Sequence, residues 1–463
     1  MTIAIIGGGF SGTAIAINIC LNISSGRLRV LLINPEATFA RGLAYGFEDD
    51  NLLLNVPAGN MSVMSNDSSH FVNYCQAIDP SINGGSFVSR RIYGRYLQET
   101  LIKTQNKFPS IIEEVKDYAL AINQMSDLST WQITLSKGQS IVADHIVLAV
   151  GHQYLKMPIH LGNAESKHVY EPWDFSALKR LPPNQPILIL GTGHTAVDVL
   201  FCLSQTHEQR RVYMVSRHGL IPHSHRINST PPDSSMLPNI VNEVQPSIRN
   251  YTRFIRKTIR TMGLHGVNWR DVLNSIRPLT ARLWQSLPAT DQQRFIRHLK
   301  VYWDIHRHRL APMASNRLEY LLSTNQVQII AGRILTAKKI GDKLNIQLRV
   351  RGKNHPEIIN ACAIVNCTGS NTDLTCDVTS LLSQLLKAGL IQQDANRLGV
   401  LVTSDHQILN ANNQRVDGLW CVGPMLKAQY WEATAVPELR IHAQQLALTL
   451  VEHTKKKFTE VVD

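Results

Sequence analysis

The chain has 463 residues, 44% hydrophobic and 18% charged, with a formal net charge of +12 from 47 Lys and Arg against 35 Asp and Glu. That length exceeds one ordinary hydrophobic core and points to two or three domains. No run of about 18 uninterrupted apolar residues exists to span a bilayer, and the apolar N-terminus lacks a basic flank, so neither a membrane span nor an export signal is expected.

Seven cysteines are scattered with no CxxC pair. This fits a cytoplasmic location and small buried hydrophobes, and excludes a disulfide framework or a dithiol redox motif. Cys362 and Cys367, five apart on an expected strand, should face opposite ways. The basic charge favours anionic partners, a demand that nucleotide phosphates already meet, and no nucleic-acid-binding signature is present.

From the N-terminus, Ile3-Ala4-Ile5-Ile6 runs into Gly7-Gly8-Gly9-Phe10-Ser11-Gly12 and then Thr13-Ala14-Ile15-Ala16. Strand, glycine turn and helix follow in the order a dinucleotide fold needs: Gly7 for the turn, Gly9 for approach of the pyrophosphate, Gly12 for helix packing. The phosphates would sit on the helix N-terminus, beside Phe10 and Ser11. Residues 29–33 read as the second parallel strand. Asn34 then falls where a ribose-binding acid is expected, with Glu36 as the alternative.

The segment Arg41-Gly42-Leu43-Ala44-Tyr45-Gly46 and the string Leu52-Leu53-Leu54-Asn55-Val56-Pro57 through Met61-Ser62 form a Gly- and Asn-rich loop too apolar for open water. Such loops line sites, so Tyr45, Leu54, Asn55, Val56, Met61 and Ser62 are candidate cofactor contacts. A helix follows from about Ser89 to Lys107. Residues 115–122, 131–135 and 141–150 read as an antiparallel meander returning into a parallel strand that ends at Gly151.

A second fingerprint, Gly191-Thr192-Gly193-His194-Thr195-Ala196, follows the run Ile187-Leu188-Ile189-Leu190. Ala196 in the third position is allowed. After the next strand, Ser216-Arg217 stands where an NAD-selective protein carries an acid. A hydroxyl and a guanidinium suit a 2′-phosphate, which favours NADPH. Two fingerprints imply two dinucleotides, and hence hydride passing from a nicotinamide to a flavin.

Residues 231–310 shift to helix formers and arginine, with Arg249, Arg253, Arg256, Lys257 and Arg260 at helical spacing. They read as a helical insertion whose basic stripe is either a solvated face or a site for an anionic substrate or carrier. His306 and His308 diverge on a helix, and His223 and His225 lack further ligands, so no metal is expected. Further strands cover 344–350 and 362–367, the latter ending at Gly369, and helices are expected around 380–388. The strand 419–422 ends at Gly423, and Trp431-Glu432-Ala433-Thr434 opens the last helix, from which Glu432 and Thr434 could reach the flavin. The tail from 454 should fray.

The Gly7–Gly12 fingerprint, the Leu54-Asn55-Val56-Pro57 loop, the second fingerprint through Asp198, Ser216-Arg217, residues 303–312 and the closing string through Arg440 together resemble the bacterial FAD/NAD(P)-binding proteins of the YdhS type. That family is related in architecture to flavin-containing and N-hydroxylating monooxygenases. The resemblance implies an α/β protein with two Rossmann-like domains and a helical insertion. FAD would be held by the two ends of the chain and NADP(H) by the middle. The expected divisions are 1–155 (FAD), 156–234 (NADP), 235–325 (insertion), 326–368 (NADP) and 369–463 (FAD). The expected activity is an NADPH-dependent monooxygenase working through a flavin hydroperoxide on a small or carrier-bound nucleophile, ahead of a plain reductase or a non-catalytic flavin-binding protein. Asn55 is the candidate donor that holds the oxygen adduct or the nicotinamide amide.

Overall fold

The computed structural model describes residues 1–23, 28–35, 39–126, 129–151, 157, 161–206, 210–227, 234–237, 240–377 and 379–459. Glu36, a candidate ribose ligand, lies outside the described residues. So do residues 460–463 at the tail.

Strand β1 (Thr2–Ile6) feeds helix α1 (Phe10–Asn22), and β2 (Arg29–Ile33) pairs parallel to β1. Every residue of α1 from Phe10 to Cys20 is buried, because the helix lies between the sheet and the last helix of the chain. An apolar helix with no exposed face is what that sandwiched position requires. Helix α2 (Arg90–Lys107) starts where the Ser89 hydroxyl accepts the Ile92 N–H at 3.2 Å, a side-chain N-cap.

Strand β3 (Ile112–Val115) joins the same parallel sheet beside β2. The meander expected from 115 is therefore shorter: β4 (Ala119–Gln124), β5 (Trp131–Leu135) and β6 (Ser140–Ala143) form a separate antiparallel sheet. Val115 closes the β3 ladder opposite Ile33, so the chain must turn before β4 can start. Strand β7 (His145–Leu148) then returns to pair with β1.

The second sheet is built from β8 (Val169–Tyr170), β9 (Ile187–Leu190), β10 (Val212–Ser216), β11 (Val327–Ile340), β12 (Lys343–Val350), β13 (Glu357–Ala361) and β14 (Ala363–Asn366). Helix α3 (His194–Thr206) follows β9. Strand order is β13-β12-β11-β10-β9-β14-β8, parallel from β11 to β8. The 14-residue β11 is absent from the sequence reading. Its N-terminal half pairs parallel with β10, and the rest pairs antiparallel with β12. Cys362 sits at the corner between β13 and β14, where alternation is interrupted. It packs in the same core as Cys367 instead of opposite to it.

Strands β15 (Gln407–Leu409) and β16 (Arg415–Cys421) bring the chain back to the first sheet, giving the order β15-β16-β7-β1-β2-β3. In both sheets the fingerprint strand has a parallel neighbour on either side: β1 between β7 and β2, β9 between β14 and β10. Sequence order reverses there, and the crevice at that switch point is where open α/β sheets take ligands.

The insertion carries helix α4 (Ile248–Leu264), capped by the Ser247 hydroxyl on the Asn250 N–H at 3.2 Å, and helix α5 (Lys300–Arg307), with shorter helices between. Its core of Trp284, Phe295 and Trp303 is completed by Leu398 and Trp431 from the closing segment. The Trp284 indole donates to the Ala428 carbonyl at 2.9 Å, and Arg277 pairs with Glu438 at 2.5 Å. The last helix, α6 (Val436–Thr459), starts five residues later than expected. The Thr434 and Ala435 N–H groups turn back onto the Glu432 carbonyl, and Pro437 then sits in the first turn, where its missing N–H costs nothing. Thr454 is 3% exposed and its hydroxyl bonds the Leu450 carbonyl, and α6 continues past the expected fray point to Thr459.

Candidate functional site

The first glycine cradle has the expected form. Gly7 has φ +112°, and a Cβ there would lie 2.1 Å from the Ala149 carbonyl oxygen; one on Gly12 would lie 2.0 Å from the Gly7 oxygen. Helix α1 opens with no side-chain cap and no acid in its first turn, so its N–H groups are free to meet an anion. Gly423, at φ +102°, lies beside the start of α1: a Cβ there would stand 3.4 Å from the Ser11 hydroxyl. Asn34 braces the turn, its side-chain oxygen accepting the Gly8 N–H at 3.2 Å. An aspartate there could accept the same bond, but only the amide can also donate.

The apolar loop divides in two. Tyr45, Leu54, Met61 and Ser62 brace it: Tyr45 stands edge-on to Tyr93 at 4.6 Å, and the Leu54 N–H bonds the Val88 carbonyl. Leu54 and Met61 are buried, and the Ser62 hydroxyl donates within the loop to Met64 or Asp67. Val56 packs half-buried against the core. Asn55 differs: its backbone carbonyl accepts a hydrogen bond from His225 Nε2 at 3.0 Å, while its half-buried side-chain amide bonds no described residue.

At the second cradle, Gly191 has φ +127° and its absent Cβ would meet the Cys367 carbonyl oxygen at 2.4 Å. Gly193 faces open space, with nothing within 4 Å of its absent Cβ. Ala196 is fully buried under the sheet, and Thr195 is half-buried in the first turn of α3. The Ser216 hydroxyl accepts the Gly219 N–H at 3.0 Å and lies 2.9 Å from the Thr192 hydroxyl, while Arg217 is exposed and bonds no described residue. Gly151 (φ +67°) and Gly369 (φ +96°), just beyond β7 and β14, likewise have open space around them.

Between the cradles lies a junction of which only Glu432 is assigned a role from the sequence. Arg90 on α2 pairs with Asp198 on α3 at 2.8 Å, both nearly buried, and the Arg90 Nε donates to the Leu53 carbonyl at 3.3 Å. Burial raises the Asp198 carboxyl to about 6 against the opposing pull of Arg90. The end of α5 and the residues after it touch all three parts of the molecule. His308 accepts through its carbonyl from His194 Nε2 at 2.8 Å, Arg307 approaches Glu432 at 3.7 Å, and the Leu310 N–H bonds the His223 carbonyl. Glu432 is 4% exposed, and its other oxygen accepts the Trp303 indole N–H at 2.9 Å. Desolvation lowers His194 to about 4 and His225 and His308 to about 3, so these rings are neutral at physiological pH.

The expected basic stripe is on the surface. Arg249, Arg253, Arg256, Lys257 and Arg260 are exposed along α4 and line a groove of about 720 Å³. Their side chains pair with no carboxylate among the described residues, so this stripe is separate from the junction. Among the described residues no group of three or more His, Cys, Asp or Glu could hold a metal, and no helix is long and apolar enough to cross a membrane.

Residues 4–153 match a family model described as FAD-NAD(P)-binding, and no curated protein matches the chain. The architecture is that of flavoproteins with two Rossmann-like dinucleotide units. An ornithine N-hydroxylase of Kutzneria sp. 744, solved with reduced FAD, NADP+ and L-ornithine, shares 13% identity at a TM-score of 0.68, over 98% of this chain and 99% of that one. The reduced ornithine hydroxylase of Pseudomonas aeruginosa shares 15% at 0.66 over the same shares of each chain. The bacillithiol disulfide reductase of Staphylococcus aureus, at 13% identity, reaches 0.56 over 98% of both chains.

Proposed function

We propose that the chain is an FAD- and NADPH-dependent monooxygenase acting on a small nucleophilic substrate. The reading is carried by the paired cradles: two fingerprint turns, each at the switch point of its own sheet. The proposed division has FAD held by residues 1–155 and 369–463, and NADPH by 156–234 and 326–368. The likeness to the ornithine hydroxylases supports oxygen insertion over simple reduction. Thiol chemistry finds no support: six of the seven cysteines are buried, and desolvation pushes Cys20, Cys75 and Cys421 up to about 12.

When bound, the flavin supplies hydride acceptance and oxygen activation. The chain supplies the rest. Gly9 would admit the first pyrophosphate to α1, which Gly12 lets pack against the Gly7 turn, Gly193 would admit the second to α3, and Arg217 with Ser216 would meet the 2′-phosphate. The side-chain amide of Asn55 would donate to the bound cofactors, its backbone held by His225 on the carbonyl. Trp303, Trp284 and Trp431 shut water out from the insertion side.

The purified protein should be yellow and bleach anaerobically with NADPH at least about tenfold faster than with NADH. A colourless protein, or one indifferent to both, ends this reading. Peroxide released in full proportion to NADPH consumed, across a panel of amines and thioethers, favours the reductase.

Two substitutions test the second cradle. Arg217→Ala should cut the NADPH preference by about 10- to 100-fold through loss of a charge-assisted contact, with NADH use unchanged. Gly193→Val meets open space and should cost the fold no more than about 1 kcal/mol at this helix start, yet weaken NADPH binding at least about tenfold. Unaltered NADPH affinity in Gly193→Val would remove the second cradle from the mechanism.

A further inference from the structure

Arg307 is 9% exposed and its guanidinium makes no hydrogen bond to any described residue; Nε and Nη2 are both shut away from solvent. A guanidinium carries five N–H donors, and buried donors are almost always satisfied. The nearest carboxylate oxygen, Glu432 Oε2, stands 3.7 Å away, beyond hydrogen-bond range, and is itself unsatisfied. Arg309, 2% exposed, bonds only Asn274, and its Nε is also orphaned. Lys427 lies over the Trp431 ring at 4.5 Å and hydrogen-bonds no described residue.

Charge points the same way. Asp304, Asp271 and Glu438 are already engaged in closer pairs with Lys300, Arg226 and Arg277. Glu432 is thus left as the carboxylate nearest Arg307, and it also acts on Lys427. Burying cations without counter-charge is costly, and a site built this way is completed by an anion that arrives with a ligand.

Resting on the proposed monooxygenase reading, we infer that the substrate carries an oxyanion, a carboxylate or a phosphate, and that Arg307 is the residue that grips it. The planar fork of Arg307 offers two parallel N–H donors to such a group, a geometry that a neutral carbonyl cannot use fully. Arg309 reinforces the local positive potential from the insertion side. NADPH could also supply an oxyanion, since His308 is bonded to His194 at the start of α3. The test therefore keeps the NADP site filled.

The FAD-loaded enzyme saturated with NADP+ is titrated with sodium acetate and, separately, with inorganic phosphate, while the visible flavin spectrum is followed. Chloride at matched ionic strength is the control. One of the two oxyanions should perturb the spectrum saturably, and which one identifies the group. In Arg307→Met that affinity should fall at least about tenfold, with Arg307→Lys intermediate because charge remains but the fork is lost. Should Arg307→Met fail to retain flavin, Arg307→Lys and Arg309→Lys carry the comparison. The inference is overturned if neither ion perturbs the wild type up to about 100 mM, a free energy below about 1.5 kcal/mol. It is equally overturned if the folded variants bind within about twofold of it, or if titration succeeds only without NADP+, which assigns the fork to the cofactor. A colourless protein sinks the monooxygenase reading; a yellow one blind to oxyanions sinks this inference alone.

Discussion

At pH 5.0 the protein is expected to be about 4 to 10 kcal/mol less stable than at pH 7.5, a loss comparable to the whole stability of an ordinary domain. The source is histidine held neutral. His406 is fully buried and bonds the 9%-exposed His442 at 2.8 Å, and desolvation lowers both to about 4. At the junction, burial lowers His194, His225 and His308 in the same sense. A group whose folded pKa lies below its unfolded value stabilises the protein above the unfolded value, near 6.5, and loses that contribution as pH falls toward the folded value.

At pH 5 each ring gives up about 2 kcal/mol. The two buried rings alone account for about 4 kcal/mol, and the three junction rings, more accessible and better screened, add a discounted share. Asp198 opposes the trend. Its raised carboxyl binds a proton in the folded state first, so acidification returns about 1 to 2 kcal/mol, too little to reverse the sum. Urea unfolding followed by circular dichroism should show a midpoint lower by at least about 1 M at pH 5.0. A midpoint that stays within about 0.3 M rules the explanation out. His442→Gln, which keeps an acceptor without a titrating ring, should flatten the pH dependence by about one proton.

Replacing Arg90 by Met should cost about 3 to 5 kcal/mol at pH 7.5, because it strands a buried carboxylate that had one close cation. The loss should shrink at pH 5.5, where Asp198 can take up a proton and become a tolerable neutral acid. That pH dependence separates stranded charge from lost packing, which would cost the same at both values. Equal losses at pH 5.5 and 7.5, or a loss under about 1 kcal/mol, would show that the pair is incidental. Since Arg90 stands on α2 of the first unit and Asp198 on α3 of the second, the pair also ties the two units together. NADPH-driven flavin reduction in Arg90→Met should slow even at temperatures where the variant remains folded.

Local sequence was sufficient for each cradle. Gly7, Gly12 and Gly191 are glycines because the Ala149, Gly7 and Cys367 carbonyls occupy the space of their absent Cβ atoms, and the flanking apolar runs made strand and helix legible. The two parallel sheets followed from that repeated grammar, as did the helical character of the insertion. Longer-range features were harder. Strand β11 changes partner direction halfway, so no single periodicity marks it, and the start of α6 follows a turn at Glu432, whose side chain is held by the Trp303 indole from a distant segment.

What the sequence determined by itself was therefore the pair of glycine turns between strand and helix, because a turn, its glycines and the strand before it are encoded within about a dozen consecutive residues. Only the tertiary structure decided that Arg90 meets Asp198, that Asn55 is held by His225, and that Arg307 stands buried against Glu432 with its donors unfilled. Those partners lie 108, 170 and 125 positions apart. Charge and burial act through space, and no local pattern records which distant segment will supply the counter-ion.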